Sequence, residues 1–296
     1  MDDDLTELLA TGERAAFHGR PSAGVAPLQR AVELAHARGQ DAEATAAAWL
    51  LGVCLGAAGR YGAAMMVLEP LATSAPDEPD RRLFASLAAA TLGSVSRQLG
   101  RHAEGRAIDE RALELAGDAP EARFDAKLGL AADAVGLGEV VHADAALAEA
   151  VHLADGRGDW WRQRVRLDWV RAEIALLREH PDEAVSRATS AITLAETSGA
   201  PRHVAKGLLF CGVSQVQAGD LEEAASSLRR AATLAESLGC VPLVWPARAA
   251  LSAGTVGATR APSTARAVVR QIADDLPAPF AQDWLARPDV AALLAD

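Results

Sequence analysis

The segment GVSQVQAGDLEEAASSLRRAATLAE, Gly212–Glu236, decides the fold. It reads as the end of one helix, a tight turn at Gly219 and a second helix closing on Ala231, Leu234 and Ala235. Working outward, the same word recurs with turn positions at Gly19, Gly59, Gly100, Gly138 and Glu179, so the spacings are 40, 41, 38, 41 and 40 residues. A helix pair of this size cannot bury its apolar face alone, so the units must stack into an extended array.

Aligned on the turns, the chain separates into columns. Seven residues before the turn stand Gly12, Gly52, Gly93, Ala131, Ala172 and Gly212; five after it stand Gly24, Ala64, Gly105, Ala143, Ala184 and Ala224. Mid-helix glycine costs about 1 kcal/mol against alanine, so four glycines in one column predict a close approach of two helix backbones. Twelve and sixteen residues after the turn the column is alanine in nearly every unit, as in Ala31 and Ala35 or Ala231 and Ala235. With the leucines at fifteen (Leu34, Leu115, Leu153, Leu194, Leu234) these positions have the i, i+3, i+4 spacing of one buried face. The second helices end near Gly39, Gly117, Gly156, Gly199 and Gly239, at C-cap positions. The expected fold is therefore all-α: a right-handed α-solenoid of stacked antiparallel helix pairs, with six repeats over 1–240. Residues 241–296 are expected to form a partial seventh repeat and a C-terminal capping helix region, which an array needs over its last apolar face.

Composition supports close-packed helices. Half of the 296 residues are hydrophobic, with five Phe and one Tyr, and alanine dominates the rest. The formal charge is -11, and Lys127 and Lys206 are the only lysines among 29 basic residues. No basic face beyond Arg162, Arg164 and Arg166 is concentrated enough for direct nucleic-acid binding. Cys54, Cys211 and Cys240 are isolated, which fits reduced thiols in a cytosol. The start MDDDLTELL lacks a signal-peptide pattern, and no apolar run is long enough to span a bilayer, so a cytoplasmic protein without membrane insertion is expected.

The pattern in Gly212–Glu236 resembles a tetratricopeptide repeat (TPR), with Gly212, Gly219, Leu221, Ala224, Leu228 and Ala231 at the signature places. The period of about 40 residues exceeds that family's usual 34 or so, and is similar to the repeat arrays of bacterial regulatory ATPases and peptide-sensing regulators. The resemblance implies a groove lined by the first helices of the pairs, at ten, six and three residues before each turn. Those columns contain Trp49 and Trp169, Glu13 and Glu173, and Arg97.

Chemistry for catalysis is hard to find. Two Glu-x-x-His pairs, Glu33 with His36 and Glu149 with His152, fall in different phases of the repeat and project differently, so no metal is expected. Neither a phosphate loop nor a nucleophile elbow occurs. No cofactor is expected and the chain is read as a non-enzyme. The tryptophans have two readings, as contact residues in a groove or as space fillers in an alanine-rich core. The stretch Trp160–Arg166 is the densest aromatic and basic run, and its arginines suit an acidic partner. The chain has no asparagine, so Gln98, Gln215 and Gln217 are the side-chain amides placed to hold a peptide backbone. The groove candidates are Trp49, Trp169, Arg97, Arg166, Glu173, Glu13, Lys206 and Gln217. The leading expectation is a noncatalytic scaffold or adaptor that binds a protein or peptide partner on its concave face. The alternative is a regulatory sensor whose peptide or small ligand controls a transcription or signalling partner. Self-assembly into a homo-oligomer through exposed helix faces is a third.

Overall fold

The computed structural model describes residues 4–74, 76–254 and 263–295; Ala75, Pro262 and Met1–Asp3 lie outside them. Sixteen helices occupy the described residues, with no strand among them. Six pairs come first: α1 (Leu5–His18) with α2 (Pro21–Ala37), α3 (Asp41–Ala57) with α4 (Tyr61–Thr73), α5 (Pro79–Gln98) with α6 (His102–Ala116), α7 (Pro120–Gly136) with α8 (Val140–Ala154), α9 (Trp161–Leu177) with α10 (Pro181–Thr197), and α11 (Pro201–Ala218) with α12 (Leu221–Leu238). Four helices follow, α13 (Val241–Gly254), α14 (Ser263–Asp275), α15 (Ala278–Ala286) and α16 (Pro288–Ala295). This is an all-α solenoid.

Local sequence sets the helix ends. Pro21, Pro79, Pro120, Pro181 and Pro201 each open a helix, where their fixed φ and missing N–H carry no penalty. Most turns place one residue in the left-handed region, and glycine fills that place at Gly59, Gly100, Gly138 and Gly219. Glu179 does so at φ 59°, the one non-glycine with positive φ among the described residues. Gly19 is the exception, with extended backbone at φ -141°.

The glycine column does not bring two backbones together. A side chain from the second helix of the same pair fills the space: a Cβ on Gly12, Gly52 or Gly212 would lie 2.3, 2.4 or 2.6 Å from atoms of Leu28, Leu68 or Leu228. Each leucine stands nine residues after its turn and is fully or nearly fully buried. The glycines thus convert backbone surface into a socket for a large apolar side chain, which offsets their propensity cost.

Odd-numbered helices form an inner layer, each packed on the next odd one from α1 to α13, while the even-numbered helices lie outside. In a simple array only neighbouring units touch. Here α1 also packs on α11, and α14 on α4. His18 Nδ1 lies 3.2 Å from the Gly199 carbonyl oxygen, so the first unit meets the sixth and the solenoid curls closed around its inner layer.

The C-terminal helices brace that closure as well as covering the end. Trp284 is buried edge-on against Trp245, its Nε1 donating to the Val269 carbonyl at 3.1 Å. The Asp275 carboxylate accepts from the N–H groups of Gly62 and Ala63 at 2.7 and 3.2 Å, capping the start of α4 from 213 residues away. Only glycine fits at residue 62, because a Cβ there would lie 1.9 Å from the Asp275 carbonyl oxygen. Arg287 donates to the Gln98 carbonyl at 2.8 Å, tying the junction of α15 and α16 to the end of α5. None of the helices is long and apolar enough to cross a membrane among the described residues.

Candidate functional site

Closure of the array converts the inner layer into the wall of a cavity of about 170 Å³. Every odd-numbered helix from α1 to α13 contributes to it, and its chemistry comes from Trp49 on α3, Asp125 on α7, Arg162, Arg166 and Trp169 on α9, and Arg202, His203 and Lys206 on α11.

Aromatic rings shape the walls. Trp49 lies between Phe17 and Phe84, with centroids 6.4 and 5.7 Å away, and its Nε1 donates to Thr91 Oγ1 at 3.1 Å. Trp169, which also lines the cavity, stacks on His203 at 5.4 Å with the planes 15° apart. Lys206 Nζ sits 4.6 Å over the Trp169 ring and 5.5 Å over Phe210, a cation–π arrangement. Trp161 packs between His18 at 5.3 Å and His203 at 5.1 Å, so a column of rings leads from the contact between first and sixth units into the cavity.

Charge is unevenly matched. Arg162 and Arg166 both pair with the buried Asp125, the former at 3.3 Å. Burial alone would raise the Asp125 carboxyl, but the two guanidinium groups outweigh it and hold the group below the usual aspartate range. Arg202 and Lys206 have no carboxylate within ion-pair distance among the described residues. Burial pushes the Lys206 ammonium down to about 8; Arg166 and Arg202 add to the shift, and Glu173 opposes it. His203 is held well below its ordinary value by burial and then by Arg202 and its other cationic neighbours, so it is neutral near pH 7. Four basic side chains therefore line a space that contains one acidic one.

The sequence candidates divide by location. Trp49, Trp169, Arg166 and Lys206 converge on the cavity. Glu173 lies close enough to Lys206 to influence it, and burial raises its carboxyl above the ordinary range. Glu13 is exposed on α1. Gln217 is exposed at the end of α11 and donates to the Leu176 carbonyl at 3.4 Å. Arg97 is drawn to another cluster, where it pairs with Asp109 and, at 3.1 Å, with Asp133.

In the Trp160–Arg166 run, helix geometry sends neighbours to different places. Trp160 packs edge-on against Phe124 at 5.7 Å and is buried, Arg164 is exposed, and Arg162 and Arg166 reach the cavity one turn apart. The Glu-x-x-His residues stay on the outer helices, where Glu33 pairs with Arg30 at 3.4 Å and Glu149 with Lys127 at 2.7 Å.

Arg202, His203 and Asp125 are not among the groove candidates read from the sequence. A usable signal existed: Arg202, His203 and Lys206 share one face of an otherwise apolar helix, where polar groups are unexpected unless they serve something inside. Asp125 carried no such signal, because one of three acids, with Glu121 and Asp133, in an alanine-rich helix reads as solvated.

No family profile matches the chain, and no curated protein matches it. Solved structures do. A Rap protein crystallised in complex with competence and sporulation factor is similar at a TM-score of 0.63 and 13% identity, over 98% of this chain and 79% of that one. The apo form of RapI aligns at a TM-score of 0.46 and 11% identity, over 99% of this chain and 84% of that one. BtubC from P. vanneervenii aligns at 0.46 and 17%, over 80% and 93%. At these identities the likeness to the first is one of fold.

Proposed function

We propose that the protein is a noncatalytic cytoplasmic adaptor that binds a peptide or small-molecule partner on its concave face, with the cavity between α3, α9 and α11 as the point of contact. We read residues 1–240 as the binding array and 241–296 as a partial seventh repeat and cap that brace it. The observation that carries this reading is the convergence of Trp49, Trp169, Arg166 and Lys206, from three separate repeats, on one cavity with excess positive charge. Large aromatic and arginine side chains around a desolvated pocket are what binding hot spots are made of. A fold neighbour, a Rap protein, was crystallised in complex with competence and sporulation factor, which supports a binding role for this array.

A regulatory sensor is favoured by one further observation. The ring column His18–Trp161–His203–Trp169 couples the closure between the first and sixth units to the cavity wall, so occupancy of the cavity would bias closure and alter the outer surface offered to a partner.

Affinity capture from native lysate with wild-type protein and with Trp49→Ala and Trp169→Ala variants tests the reading. Loss of a wild-type partner by folded variants supports it. Capture of the same partners by all three proteins would rule out the cavity as the contact point.

A further inference from the structure

Three buried polar atoms on residues that line this cavity have no hydrogen-bond partner among the described residues: Trp169 Nε1, Arg202 Nε and His203 Nδ1. Trp169 and His203 are only 6% and 2% exposed. Buried polar groups are nearly always paired, because leaving a donor unsatisfied is costly. Three on one wall make that wall a receptor for hydrogen-bond acceptors. Trp169 Nε1 and Arg202 Nε can only donate, and neutral His203 donates from Nδ1 in one of its tautomers. Lys206 Nζ, poised over the Trp169 ring, adds a fourth donor and a positive charge without an ion-paired carboxylate.

A carboxylate is the matching group. It accepts only, with about four lone-pair directions, and it supplies a negative charge for Arg202 and Lys206, neither of which is ion-paired within 4 Å among the described residues. Size restricts what can be attached to it. A space of about 170 Å³ compares with the roughly 150 Å³ of a cavity that takes up benzene, so its interior holds one flat or branched apolar group, and anything longer must extend through its open side. The rings of Trp49 and Phe17, which also line the cavity, suit such a group.

We propose that the cavity binds a carboxylate borne on a single flat or branched apolar group, supplied either as a small free acid or as the C-terminal residue of a peptide. The proposal rests on the reading of this cavity as the contact point and names the chemistry it selects.

Titration of the full chain, followed by tryptophan fluorescence and by thermal unfolding, tests it with phenylacetate, phenylacetamide, inorganic phosphate, and a pentapeptide ending in Phe as free acid and as C-terminal amide. Saturable binding of phenylacetate or of the free-acid peptide is expected, with the matching amide at least tenfold weaker. Whichever acid binds more tightly identifies the source. Arg202→Gln and Lys206→Met should each weaken that binding tenfold or more, and Lys206→Arg by less. Should a variant fail to fold, the comparison of acid with amide on the wild-type chain decides alone. Equal binding of acid and amide, or saturation by phosphate with no gain from an apolar body, would overturn the carboxylate assignment and leave the cavity reading standing if Trp169→Ala abolishes the response. No saturable response to any probe overturns the assignment too, and the cavity reading is then judged separately on partner capture.

Discussion

The Asp109 carboxylate lies against the Cα of Gly93, where a Cβ would come within 2.8 Å of its Oδ2, in the socket that Leu28, Leu68 and Leu228 fill in other units. An acid has taken the place of a core leucine. It is fully buried, and Arg97, 12% exposed at its side chain, bridges it to the equally buried Asp133.

Breaking that cluster from the arginine side should be far worse than restoring the leucine. Arg97→Met strands two buried carboxylates and is expected to cost about 3–5 kcal/mol at pH 7. Asp109→Leu leaves Arg97 with Asp133 and should stay within about 1 kcal/mol of wild type. Urea unfolding of both variants checks the order.

Acidity should tune the same cluster. Burial, and for Asp109 the neighbouring Asp133, hold both carboxyls above the ordinary aspartate value. In the window above that ordinary value of 3.8 the folded state binds more protons than the unfolded one, so this contribution to stability falls as pH rises. Asp125, held low, contributes with the opposite sense, lost as pH falls through its folded value. His102 is pushed down by burial and favours higher pH below its ordinary 6.5. The difference between wild type and Asp109→Asn isolates the carboxyl: thermal midpoints from about pH 4.5 to 7 should fall more steeply, or rise less, in the wild type.

Lys206 has a different pH signature. Its folded value of about 8 lies below the ordinary 10.5, so between the two the unfolded state binds more protons and stability gains as pH rises. Anion binding at the cavity should move the other way, weakening as pH passes 8 and the free protein loses that charge. Lys206→Arg, which stays protonated, should flatten the binding profile in a fluorescence titration between pH 7 and 9.5 or so.

Glu179 occupies a left-handed turn position that four other units give to glycine. Left-handed backbone costs a residue with a Cβ about 1–2 kcal/mol, partly offset by glycine's larger entropy when unfolded. Glu179→Gly is expected to stabilise by about 0.5–1 kcal/mol, read from chemical denaturation.

Gly62→Ala should open the brace between α4 and α14. The new Cβ meets the Asp275 carbonyl oxygen and cannot be relieved by a side-chain rotation. A loss of about 1–3 kcal/mol is expected, with faster proteolysis within 263–295 as the specific readout.

How much of this was legible in the residues differs from one feature to another. The turn column, the alanine faces and the leucines at fifteen after the turn sufficed for helix pairs stacked into a solenoid, since each reports a relation between residues within one unit, governed by helix period and turn stereochemistry. The purpose of the glycine column was half visible: four glycines demand a close approach, but Leu28 on a second helix, not another backbone, makes it. Trp49 and Trp169 stood out as large rings in a small-residue chain. That they share a cavity with Arg202 and His203 did not, because they come from the second, fifth and sixth repeats.

Sequence by itself determined the all-helical repeat, its period and its packing faces, because those rest on contacts between residues near one another along the chain. The tertiary structure decided closure. The slight rotation from each unit to the next accumulates over six repeats until α1 meets α11 and Asp275 caps α4. No single unit encodes that sum, and the cavity with its unpaired donors exists only once the two ends have come together.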